Sequence, residues 1–94
     1  MKSKKISVTG HVQGVGFRPF IYRIANQYNV KGHVSNQTGT VIIVCQGANK
    51  DIDSFTKAII AKAPPLAQPK LNEITEIQTE KFDEISIRNS EQAD

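Results

Sequence analysis

Ninety-four residues, 38% hydrophobic and 22% charged, make one small domain with enough apolar material for a single core. The net charge of +3 is compatible with a small anionic ligand and too weak to argue for nucleic acid. A lone cysteine, Cys45, excludes an internal disulfide and speaks against a cysteine-based zinc site, and no apolar run is long enough to span a bilayer.

The opening "MKSKKISVTG" has lysines but no apolar leader behind them, so the expected compartment is the cytoplasm, away from membranes. Within it "KKISVTG" alternates, with Ile6 and Val8 on one face, and predicts a first strand ending at Gly10. A glycine-rich loop follows. In "RPFIYRIANQYN" the residues Phe20, Ile21, Ile24, Ala25 and Tyr28 fall on one helical face. Pro19 suits the first turn, which puts Arg18 at or just before the helix start.

"KGHVSNQTGTVIIVCQG" predicts a hairpin, with strands near 32–36 and 40–46 turned by Gln37, Thr38 and Gly39. Cys45 falls in the apolar strand and reads as a buried thiol. "NKDIDSFTKAIIAKA" predicts a second helix, with Asn49 as N-cap, Asp51 and Asp53 in the first turn, and Ile52, Phe55, Ile59 and Ala63 toward the core. Pro64 and Pro65 stop it.

In "LNEITEIQTE" the spacing of three between Leu71, Ile74 and Ile77 fits neither period cleanly. Its β-branched content favours a strand, with a bulge to repair the phase. "EISIR" alternates as a short last strand, and "NSEQAD" reads as a polar tail. The whole of 1–94 is thus expected to be one domain, with its core over about 6–88.

The order β-α-β-β-α-β plus one short strand predicts an α+β, ferredoxin-like sandwich: an antiparallel sheet with two helices on one face. Many functions share that arrangement, so the function is sought in the loop.

That loop, "GHVQGVGFRPF", carries Gly10, Gly14 and Gly16 between a strand and a helix start. Successive N–H groups turned inward at the positive end of a helix hold an oxyanion or phosphate. Gly14 and Gly16 would let the backbone approach closely, Gly10 would let the strand leave the sheet, and Arg18 adds a fork for two phosphate oxygens. The loop lacks the Gly-Lys-Ser/Thr ending of nucleoside-triphosphate sites and the glycine order of dinucleotide sites. A turn needed only for strand-to-helix geometry stands as the other reading. Arg23 is expected in solvent. His11 and His33 have no acidic or thiol partners at ligand spacing, and no metal site is expected.

"GHVQGVGFR" resembles the first signature of the acylphosphatase family, and "GHVSNQTGTV", Gly32 to Val41, resembles its second. "VQGVGFRPFIYRIA" and "APPLA" are similar, more narrowly, to the N-terminal acylphosphatase-like domain of hydrogenase-maturation carbamoyltransferases. The resemblance implies that Arg18 binds phosphate and stabilises the transition state. It further implies that Asn36 orients the attacking water, and that the backbone of Gln13, Gly14, Val15, Gly16, Phe17 and Arg18 forms the cradle. It implies no metal and no cofactor. The implied substrate is a small acyl phosphate, carbamoyl phosphate in the maturation context, with further domains of a larger maturation enzyme as partners. The other reading of the same cradle is an anion-binding or regulatory domain without turnover. RNA-recognition domains share the element order, but "TVIIVCQG" offers no stacking aromatic, which argues against a nucleic-acid partner.

Overall fold

A computed structural model describes residues 2–12, 16–37, 39–78, 82 and 84–87. Seven elements follow one another: β1 (Lys2–His11), α1 (Phe17–Gln27), β2 (Lys31–Gln37), β3 (Thr40–Gly47), α2 (Asn49–Ala61), β4 (Gln68–Glu76) and β5 (Ile85–Ile87). The strands form one sheet in the order β4-β1-β3-β2-β5. This is the expected α+β sandwich, with one refinement. β1 through β4 pair antiparallel, but β5 lies parallel to β2, so the sheet is mixed.

The core lies where the sequence periods converge. Ile6 and Val8 of β1 stand opposite Ile43 and Val41 of β3, and all four are buried. Against them α1 lays Phe17, Phe20, Ile21, Ile24 and Ala25, and α2 lays Ile52, Phe55, Ala58 and Ile59. Cys45 belongs to the same layer, with its thiol directed at the Lys4 carbonyl, 3.5 Å away. Burial pushes that thiol up to about 11, because the thiolate would lose its hydration.

α1 ends by a backbone device. Asn29 adopts φ 60°, the Val30 N–H donates to the Ala25 carbonyl at 2.8 Å, and the Asn29 N–H donates to the Asn26 carbonyl at 3.3 Å. That pattern satisfies the last helical carbonyls and turns the chain into β2. Beyond the helix ends, the Lys62 ammonium donates to the Tyr28 hydroxyl at 2.9 Å and joins α2 to α1.

Three expectations need correction. Asn49 is not the N-cap of α2: Ala48 occupies that position, and its carbonyl accepts from both the Asp51 and Ile52 N–H groups at 3.0 Å. Gly10 does not end β1, which continues to His11; it has φ 98°, and a Cβ there would collide with the Gln68 carbonyl of β4. β4 begins three residues before Leu71, because Gln68, Pro69 and Lys70 pair with His11, Gly10 and Thr9.

The expected bulge in β4 is present. Ser7 faces Glu73 and Val8 faces Leu71, which leaves Asn72 as the extra residue. Ile74 then faces Ile6, so Leu71 and Ile74 share the core-facing side despite a spacing of three. Both stay partly exposed, since β4 is an edge strand.

Candidate active site

The site is built where α1 starts. Gly16 stands at the N-cap with φ 75° and ψ 21°, the left-handed region that glycine enters without penalty. Phe17 and Arg18 are the first two helical residues, and the first intrahelical bond runs from the Phe20 N–H to the Gly16 carbonyl at 3.2 Å. Helix geometry therefore leaves the first-turn N–H groups of Phe17 and Arg18 without an intrahelical acceptor. Pro19, third in the helix, has no N–H to lose. Its ring would meet the carbonyl four residues earlier, which lies outside the helix, so the turn accepts it.

The second half comes from the sheet. Buried Val34 lies opposite Ile43, and Asn36, two residues on, lies opposite Val41; this period places Asn36 on the helix-facing side. Asn36 is the penultimate residue of β2 and so sits at the end of the sheet toward which α1 opens.

Between the two lies a cavity of about 230 Å³, lined by Val12, Gly16, Phe17, Arg18, Pro19, Asn36 and Val41. Its residues are graded by depth. Val12, Phe17 and Val41 are at most 3% exposed and make an apolar floor. Arg18 and Asn36 are half-buried, and Gly16 and Pro19 stand exposed at the rim. A guanidinium and a carboxamide thus share one small pocket whose base is apolar and whose edge is a helix N-terminus. Such a pocket suits an oxyanion: the floor excludes water and strengthens charge interactions, while the fork and the amides offer donors.

Of the expected site residues, Gly16, Phe17, Arg18 and Asn36 line this one cavity. Gln13, Gly14 and Val15 lie outside the described residues. Phe17 contributes a buried ring as well as its backbone, packed against Phe20 with centroids 5.7 Å apart. Arg23 and His11 are exposed, and His33 is half-buried and meets Phe82 in a T-shaped ring contact. No group of three or more His, Cys, Asp or Glu among the described residues could hold a metal ion. Three lining residues were not singled out by the sequence reading: Val12, Pro19 as a wall, and Val41. Val12 continues the alternation of Ile6 and Val8, and Val41 is fixed by the hairpin register, so both carried a readable signal.

The acylphosphatase family model matches residues 4–87, nearly the whole chain. The chain belongs to the acylphosphatase family. Two kinds of family member resemble it. A probable carbamoyltransferase HypF of Methanocaldococcus jannaschii is 46% identical over 90 residues, covering 95% of this chain but 12% of that protein. An acylphosphatase of Staphylococcus aureus strain Newman is 38% identical over 78 residues, covering 83% of this chain and 88% of its own length. Among solved structures, an acylphosphatase from Bacillus subtilis superposes with a TM-score of 0.82 at 30% identity, covering 94% of this chain and 99% of that one. The chain therefore corresponds to nearly a whole acylphosphatase and to about an eighth of a HypF carbamoyltransferase. Family membership accounts for the fold, including the two helices on one face of the sheet.

Proposed function

We propose that this chain hydrolyses acyl phosphates to a carboxylate and inorganic phosphate, without a metal ion. The observation that carries the reading is that Arg18 and Asn36, from a helix start and a strand end, line a single cavity.

The chemistry asks little of the protein. In an acyl phosphate the leaving group is a carboxylate, stable enough to depart without a general acid. Water attacks phosphorus, the bond between phosphorus and the acyl oxygen breaks with both electrons going to that oxygen, and a proton of the water is released to solvent. The remaining tasks are to stabilise a loose phosphoryl transition state and to aim the water. The Arg18 guanidinium binds two non-bridging oxygens, and the first-turn amides of α1 take the rest of the charge. The Asn36 carboxamide oxygen accepts a hydrogen bond from the water and turns its lone pair toward phosphorus. With carbamoyl phosphate the products are carbamate and phosphate. The similarity to HypF carbamoyltransferases makes this the substrate of choice where the domain works beside further domains of a larger maturation enzyme.

The test is phosphate release from acetyl, benzoyl and carbamoyl phosphate, with and without a chelator. Arg18→Ala is expected to lower kcat/KM by about 10³. Asn36→Ala should lower kcat by about 10² with KM little changed, because its contact is made to the water and not to the substrate. A second reading follows from the 12% coverage of the carbamoyltransferase: an anion-binding domain whose chemistry is completed elsewhere in a longer chain. Tight phosphate binding with no release from any of the three substrates would establish that reading and overturn the first.

A further inference from the structure

We propose that Val41 is a positioning residue: from the neighbouring strand it holds the Asn36 side chain in one rotamer, and so fixes the aim of the attacking water. The inference rests on the reading above that the Asn36 carboxamide holds that water.

An asparagine side chain is loosely determined by its own torsions. Its χ1 has three staggered wells, and its χ2 is broad and about twofold. A move to another χ1 well carries the carboxamide oxygen away from the water, and a misplacement of about 1 Å can cost about 10² in rate. Packing against a fixed neighbour selects one well.

The sheet supplies that neighbour. Asn36 of β2 stands directly opposite Val41 of β3. Residues paired in this way leave an antiparallel sheet on the same face, with Cβ atoms ~4.5–5.5 Å apart. Both line the cavity, so the valine forms a wall beside the carboxamide at the place where the water is needed. The wall is stiff. Branching at Cβ restricts its χ1, and it is 1% exposed with buried Val8 opposite it on β1. Along β2 the preceding residue on the same face is Val34, also buried. Asn36 is thus bounded across the sheet by Val41 and along its own strand by Val34.

The other two residues of the apolar floor are placed differently. Phe17 reaches the cavity from α1 and Val12 from beyond β1, and β1 is not a neighbour of β2. Of the floor residues, Val41 is the cross-strand partner of Asn36. Val41→Ala removes both γ-carbons and opens space into which the carboxamide turns. Arg18 and the first-turn amides are untouched, so phosphate binding is preserved.

The experiment has two arms. The first reads the Asn36 rotamer from the three-bond couplings of its Cγ to the backbone nitrogen and carbonyl carbon, by NMR of the native chain and Val41→Ala. Single-well values are expected in the native chain and averaged values in the variant. The second is a kinetic double-mutant cycle on acetyl phosphate. Val41→Ala is expected to lower kcat about tenfold, with KM and the calorimetric phosphate Kd little changed, and to have almost no further effect in the Asn36→Ala background. Urea unfolding verifies that each variant is folded. Should Val41→Ala fail to fold, Val41→Cys, unbranched at Cβ, takes its place in both arms. Unchanged couplings would overturn the proposal. So would an unchanged kcat, or a loss of kcat that is as large in the Asn36→Ala background. If the native chain shows no turnover, the hydrolytic reading fails and the couplings decide alone whether Val41 holds Asn36.

Discussion

Arg18 occupies the first turn of α1, where the backbone dipole opposes a cation, while Cys45 occupies the core, where the surroundings oppose an anion. The two positions have opposite meanings. A half-buried arginine at a helix start is tolerable when an anion sits beside it, which is what a binding site requires. A thiol pushed up to about 11 is a packing group with no readiness to react. Its titration nevertheless has a consequence for stability. Because the folded pKa lies above the ordinary 9.0, the unfolded chain gives up this proton first as pH rises. Stability from this group is thus intact below about 9 and is lost as pH climbs through about 11, by about 2–3 kcal/mol at most. Urea midpoints measured from pH 8 to 11 should show the advantage of the native chain over Cys45→Ala shrinking across that window. A constant gap would mean that the thiol titrates alike in both states.

Elements differ in how plainly their residues announce them. The helical face of α1 and the alternation of β1 were legible because burial imposes a period, and Phe20, Ile21, Ile24, Ala25, Ile6 and Val8 keep it. The cap of α2 was misread because asparagine is a favoured cap, whereas here the Ala48 carbonyl does the work and needs no side chain. The parallel pairing of β5 was not legible at all: a three-residue strand carries no information on which edge it joins or in which direction. The two signatures single out Arg18 and Asn36 as candidates, but the cavity they share depends on β2 register and on where α1 begins, which are tertiary facts. Glycines separate the same way. Gly16→Ala meets no atom and should cost about 1–2 kcal/mol from its φ of 75° alone. Gly10→Ala adds a collision with the Gln68 carbonyl to an unfavourable φ, and should be clearly more destabilising. Thermal unfolding of the two variants side by side checks the order, and equal losses would show that β4 yields to the added methyl.

The molecule as a whole couples its site to its stability, since the cavity is assembled from the start of α1, the end of β2 and Val12 beyond β1. The unfolded chain has no such arrangement, so inorganic phosphate should stabilise only the folded state, by about 2.7 kcal/mol at a hundredfold excess over Kd. Arg18→Ala should abolish that gain while raising stability slightly in phosphate-free buffer, by about 0.3–1 kcal/mol, because the cation no longer opposes the helix dipole. Differential scanning fluorimetry across a phosphate series reads both effects. A variant that kept the full phosphate response would remove Arg18 from the site. The direction of the last strand decides which border of the sheet stays open. β5 advances alongside β2 from the level of Gly32 to that of Val34, and Asn36 lies two residues farther along the same heading. By docking in that direction, three residues close the β2 side of the sheet and leave β4 as the long open border, so a second strand seeking backbone partners would find them along Gln68–Glu76 and not beside the pocket.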